Sequence, residues 1–147
     1  MLIAVIIVSA VLAFVLFFTF LVFSIIRILA RKSGLSQLGV SYPGTNHPPG
    51  DLRRLYILVM NGITFKGTLS MNISGDGLYV TTNKFFKWLG RVRPALIPWD
   101  EIRIADEKKK VNMREAVGLA IGDPSVGSMT VLRKDFTEME PYLYKKF

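Results

Sequence analysis

The 147-residue chain has no cysteine and one histidine, His47. The first absence excludes disulfide bridges, thiolate zinc sites and cysteine nucleophiles. The second leaves no Ser-His-Asp triad and no histidine-rich metal site, because His47 stands alone in a Pro/Gly stretch. Charge is missing from residues 1–26, MLIAVIIVSAVLAFVLFFTFLVFSII. Its polar interruptions are Ser9, Thr19 and Ser24, whose hydroxyls can bond back to carbonyls of their own helix. At about 1.5 Å per residue such a run crosses a hydrocarbon core about 30 Å thick. It exceeds the roughly 7–15 apolar residues of a cleavable signal core and has no basic segment before it, so an uncleaved anchor is expected. Arg27, Arg31 and Lys32 follow the run. By the positive-inside rule they place the short N-terminus outside and the rest in the cytoplasm, at an inner cell membrane.

Acidic residues are also in short supply: 11 Asp and Glu stand against 19 Lys and Arg, a net charge of +8. The uncharged run contributes none of this excess, so it lies on the remainder, a single small domain. Anionic lipid headgroups and nucleic acid are the natural partners of such a surface. The tether favours the lipid, and no nucleic-acid-binding motif supports the other, so no nucleic acid is expected. The chain calls for no cofactor and no metal. Three regions are expected: anchor and basic flank (1–30), a Pro/Gly juxtamembrane linker (31–51) and a β domain with a C-terminal helix (52–147). Within the linker, Leu35, Leu38 and Val40 suit a short turn lying on the headgroups.

From Leu52 onward the punctuation is that of an antiparallel sheet. Asn61-Gly62 is a strong hairpin signal after the apolar 55–60. Strand character resumes over 63–73, with Gly67 marking a bulge or a close backbone approach. Ser74-Gly75-Asp76-Gly77 reads as a turn and 78–82 as a strand. Residues 95–99, with Pro98 confining the strand to an edge or bulge, 102–108, 111–121 and 129–132 bring the count to six or seven strands. Thr137-Glu138-Met139-Glu140 fits a capping box, starting a terminal helix with Pro141 in its first turn and an apolar stripe Met139, Leu143, Phe147. Lys145 and Lys146 suit its negative end. The fold class expected is an N-terminal transmembrane helix plus a mainly-β open barrel or sandwich closed by a C-terminal helix.

Gly77-Leu78-Tyr79-Val80, a basic-aromatic stretch, and then Leu96-Ile97-Pro98-Trp99-Asp100-Glu101-Ile102 resemble the middle strands of pleckstrin-homology-like domains, GRAM-type ones especially. The chain also looks like a group of small, uncharacterised bacterial single-pass membrane proteins, through Ser33-Gly34, Tyr42-Pro43, the Pro-Pro-Gly exit and the Ile-Pro-Trp segment. Leu35 stands where that group has an aromatic residue. The resemblance implies a pleckstrin-homology-like fold and no activity, with Pro98 and Trp99 in structural roles.

The stretch 83–94, NKFFKWLGRVRP, interleaves Phe85, Phe86 and Trp88 with Lys84, Lys87, Arg91 and Arg93. A loop of this kind can insert aromatics at headgroup depth while its cations meet phosphates, or bind an acidic partner segment. Alternatively it is a hairpin with aromatic core and solvated basic rim. Lys108-Lys109-Lys110 with Arg114 suits a solvated hairpin tip. The pairs Asp100-Glu101 and Asp106-Glu107, being adjacent on strands, cannot converge as catalytic dyads. Asp100 and Glu101 are expected to pair with Arg91, Arg93 or Arg103. These readings point to a non-enzymatic membrane-anchored adaptor binding a protein partner or the adjacent lipid. The alternative is an accessory subunit of a membrane complex that uses its helix as the interface.

Overall fold

A computed structural model describes residues 1–144; Lys145, Lys146 and Phe147, assigned above to the end of the terminal helix, lie outside the described residues. The uncharged run continues through its basic flank as one helix, α1 (Leu2–Lys32), long and apolar enough to cross a membrane. Its hydroxyls turn inward as anticipated. Ser9, Thr19 and Ser24 donate to the carbonyls of Val5, Val15 and Phe20 at 2.7–2.9 Å, leaving no free polar group on the apolar surface.

Gly34, at φ +75°, turns the chain into a second helix, α2 (Leu35–Ser41). Leu35 and Leu38, one turn apart, are 3% and 1% exposed and join the core, whereas Val40 faces outward. The expected headgroup-lying turn is therefore wrong for the two leucines: their apolar face has the domain to bury against. The segment beyond is also fixed to the domain. Leu96 N–H donates to the Tyr42 carbonyl at 2.9 Å, Gly44 N–H to that of Pro94 at 3.0 Å, and the Tyr79 hydroxyl to that of Thr45 at 2.6 Å. The Tyr42 phenol donates to Glu101 at 3.2 Å. Burial first, and then the neighbouring carboxylate, raise that phenol above its ordinary range.

Among the described residues nine strands form two antiparallel sheets with a helix, α4 (Arg133–Leu143), at the C-terminal end. The strands are β1 (Arg53–Arg54), β2 (Ile57–Met60), β3 (Ile63–Lys66), β4 (Leu69–Ser74), β5 (Gly77–Thr82), β6 (Ala95–Ile97), β7 (Ile102–Val111), β8 (Arg114–Ile121) and β9 (Gly127–Leu132). One sheet has the order β1-β4-β5-β6, the other β3-β2-β9-β8-β7, and they do not close into a barrel. The hairpin turning at Asn61 (φ +48°) and Gly62 (φ +80°) belongs to both sheets. Near its turn β2 pairs with β3, Met60 opposite Ile63; farther out β1 pairs with β4, Arg53 opposite Met71. Between the two halves Gly67, at φ +63°, donates to the Tyr56 carbonyl at 3.1 Å and bends the ribbon. Nothing lies within 4 Å of the position its Cβ would take, so Gly67 is there for its backbone angle and not for a close approach.

The core lies between the sheets and under α4, with Leu58, Leu78, Ile97, Leu119 and Met139 at most 1% exposed. Each such side chain contributes about 1.5–3 kcal/mol by burial. Two boundaries differ from the sequence expectation. Lys108, Lys109 and Lys110 lie inside β7 and not at a tip; the turn is Asn112-Met113, both at positive φ. In this edge strand exposed lysines discourage pairing with another chain. Helix α4 starts at Arg133, not at a capping box. Thr137 sits in mid-helix, donating to the Arg133 carbonyl at 2.9 Å, and Pro141 falls in the last turn. Apolar burial of Phe136 and Met139 outweighs the local capping signal.

Candidate functional site

The basic-aromatic stretch is a helix, α3 (Lys84–Gly90), where a loop was expected. Asn83 starts it: its side-chain Oδ1 accepts the Phe86 N–H at 2.8 Å, which satisfies one of the donors a helix leaves free at its first turn. At about 100° per residue, Lys87, Lys84, Trp88 and Phe85 share an arc of about 160°, with Phe86, Leu89 and Gly90 opposite. The burial follows this division. Leu89 is 2% exposed and Phe86 is half-buried, its ring edge-on to Phe65 at 5.9 Å. Trp88 is 73% and Phe85 60% exposed. Neither a core hairpin nor an extended loop describes this element. It is a short amphipathic helix whose outer face carries two large aromatics.

Helix α3 lies against the C-terminal end of α1. Phe23 meets Trp88 edge-on at 6.0 Å between ring centroids, and Arg27 lies 5.8 Å over the Phe23 ring. Gly90 makes the approach possible: a Cβ there would lie 3.3 Å from the Cβ of Ala30, which is itself fully buried. Past Gly90 the chain reverses at Arg91, which takes the left-handed conformation at φ +52° and donates its N–H to the Lys87 carbonyl. A non-glycine residue in this conformation costs about 1–2 kcal/mol. The reversal drives Val92 into the core at 4% exposed and leaves the Arg91 and Arg93 side chains outside. Arg93 borders α2, where a Cβ on Gly39 would come within 2.7 Å of its carbonyl oxygen.

The structure thus brings Trp88 of the candidate site together with the long apolar helix α1, and Arg91 together with the topology residues Arg27 and Arg31, which line one cleft with it. Lys84, Phe85 and Lys87 stand on α3 and Arg93 on the strand-side exit, while Lys32 ends α1. Two participants carry no functional signal in the sequence: Phe23, one apolar residue among many, and Gly90, whose value is its missing side chain.

Pro98 and Trp99 belong to a different part of the molecule. Pro98 ends β6 and caps a 3-10 turn (Trp99–Glu101) by accepting the Glu101 N–H at 3.0 Å. Trp99 is 8% exposed, donates its indole N–H to the Ser74 carbonyl at 2.8 Å, and stacks on Tyr142 at 5.0 Å. Of the acidic pairs, Asp106 and Glu107 are neighbours on β7 as expected, and Asp100-Glu101 departs from expectation. Asp100 and Glu101 lie in the 3-10 turn and not on a strand, Glu101 accepts from Tyr42, and Arg103 bonds the Gly122 carbonyl and approaches Asp123 at 3.9 Å. Glu107 accepts from Tyr144 and Asp106 from the Lys108 N–H. Among the described residues no three His, Cys, Asp or Glu side chains are grouped to hold a metal ion.

Among the described residues the one buried acid is Asp135, in the first turn of α4. Burial raises its carboxyl above the usual carboxylate range, against the lowering pull of Arg53, which bonds it at 2.7 Å and also reaches Glu138. This is an ion pair tying β1 to α4, on a different element from α3. Comparison with protein-family models, with curated proteins and with solved structures finds no match to the chain.

Proposed function

We propose that the protein is a non-enzymatic, single-pass membrane module that holds a pleckstrin-homology-like domain against the cytoplasmic face of an inner membrane. Its working surface is α3, applied to the lipid interface. The observation that carries this reading is the contact of Trp88 with Phe23. Phe23 lies near the end of the apolar run, one turn before Arg27, so the exposed indole sits where the hydrocarbon gives way to headgroups. Tryptophan favours this zone, being apolar over most of its surface and polar at one edge. Exposed Phe85 can enter beside it, with Lys84 and Lys87 left among the phosphates. The two antiparallel sheets and the closing helix support the pleckstrin-homology-like reading of the domain. Its tight Asn61-Gly62 turn is engaged with the start of β9, where the Ser128 N–H donates to Asn61 Oδ1 at 2.8 Å, and it offers no basic loop for a headgroup.

Tryptophan fluorescence of the full chain in vesicles containing lipids brominated along the acyl chain tests this. Trp88 and Trp99 are the two tryptophans. Quenching is expected in the wild type and in Trp99→Phe, and is expected to be lost in Trp88→Phe. Equal quenching with and without Trp88 would remove α3 from the membrane and leave a protein partner as the occupant of its outer face.

A further inference from the structure

Where α1, α2 and α3 meet there is a cleft of about 230 Å³ lined by Arg27, Arg31, Ser36, Gly90 and Arg91. Arg27 and Arg31 are four residues apart on α1 and so share a face. Arg91 joins them because the left-handed turn after α3 sends the chain back at that point. Arg53 pairs with Asp135 and Glu138, and Arg103 with Asp123; among the described residues no ion pair involves the three arginines of the cleft. Three arginine residues at the wall of one small space concentrate positive charge there, and a bound anion offsets it. The C-terminal ends of α1 and α3 lie at this cleft, and their carbonyls favour the cations and not the anion, so the charge of an anion there is met by the arginines alone. The guanidinium fork matches phosphate oxygens two at a time, and the Ser36 hydroxyl adds a neutral donor. Arg27 directly follows the apolar run, so the cleft opens at the depth of the lipid phosphates.

We propose that this cleft binds a phosphate group, the headgroup phosphate of an anionic phospholipid in the leaflet that α3 faces. The proposal rests on the membrane-facing reading of α3 and adds to it a stoichiometric site, separate from the aromatic face. A free phosphate ion has the same chemistry, so the experiment needs an arm for each source.

The test uses the full chain, with arginine side chains labelled for NMR, in bicelles of zwitterionic phosphatidylcholine. One arm adds phosphatidylglycerol to the bicelle and the other adds inorganic phosphate to the buffer. Saturable shifts of the Arg27, Arg31 and Arg91 side-chain signals are expected with phosphatidylglycerol, while Arg54 and Arg133 stay unmoved. Half-saturation is expected to weaken about fivefold to tenfold in Arg31→Gln and in Arg91→Gly. Arg91→Gly is the safer variant for folding, since glycine adopts the left-handed conformation without strain. The same saturable shifts with inorganic phosphate alone would keep the phosphate site and give it a soluble occupant. Unmoved signals in both arms, or equal shifts of all arginines, would overturn the proposal. The Trp88 quenching experiment reads a different surface, so its result stands whichever way this one falls.

Discussion

The two tryptophans of this chain follow opposite rules. Trp99 sits behind a proline at the end of a buried strand, with its indole N–H satisfied by a carbonyl and its ring covered by Tyr142. Trp88 sits on a seven-residue helix, 73% exposed, and touches the long apolar helix α1 along one edge. The elements carrying or covering them differ in the same sense. Helix α4 buries Phe136, Met139 and Leu143 and covers Trp99 with Tyr142, whereas α3 buries Leu89, half-buries Phe86 and turns its other aromatics outward. A buried aromatic is placed by the core it fills. An exposed aromatic on a helix seven residues long is held there by its cap, its neighbour and its turn, because so short a helix is marginal by itself.

The sharpest way to break the contrast is to truncate each indole. Trp99→Ala is expected to lower the unfolding free energy by about 3–5 kcal/mol, as for other large core truncations. Trp88→Ala is expected to cost no more than about 1 kcal/mol, as surface substitutions do. Urea unfolding in detergent measures both, and similar losses would mean that the Trp88 face is core after all. Next in size is Gly90→Leu, which forces a side chain against Ala30 at a site where even a Cβ is tight. A cost of about 1–3 kcal/mol is expected, together with loss of the Phe23–Trp88 ring contact in methyl and aromatic NMR.

Removing the cap is milder. Asn83→Ala is expected to cost about 1 kcal/mol and to speed hydrogen exchange at Phe86 and Lys87 while leaving Met139 protected. The smallest effect sharpens the α4 side. Because burial raises the Asp135 carboxyl, the folded chain holds its proton more tightly than the unfolded chain does. Its contribution to stability is then fully present below the unfolded carboxylate pKa and falls away as pH rises through the folded value. The stability of the wild type relative to Asp135→Asn is expected to fall with rising pH across that window. A rise would mean that the Arg53 ion pair dominates.

Much of the sheet was legible because its turns are chemically specific. Asn61-Gly62 and the 74–77 turn fall where the sequence puts them, since those turns favour residues that tolerate positive φ or bond their own backbone. Gly67 was legible as an interruption, but not as the point where one hairpin passes from one sheet to the other; that depends on partners distant in sequence. Helix α3 was hidden because two turns of helix hold too few apolar positions to set a period, although Asn83 and Gly90 bracket it. Helix α2 was hidden in the same way, with Leu35 and Leu38 one turn apart and surrounded by glycine and serine. The meeting of Arg27, Arg31 and Arg91 was beyond sequence altogether, because it depends on how closely Gly90 lets two helices approach.

The joint between α1 and α2 has a mechanical consequence. Ser33 and Gly34 alone separate the two helices, and both are buried. The Ser33 hydroxyl bonds the Ala30 carbonyl, and a Cβ on Gly34 would strike the Asn61 side chain at 2.5 Å. The elbow is packed on the domain and not free in solvent. A spanning helix longer than the hydrocarbon is thick accommodates the difference by tilting, and under the membrane-anchored function proposed above the domain would lean with it. On that proposal, bilayer thickness would be converted into the angle at which the domain meets the membrane surface.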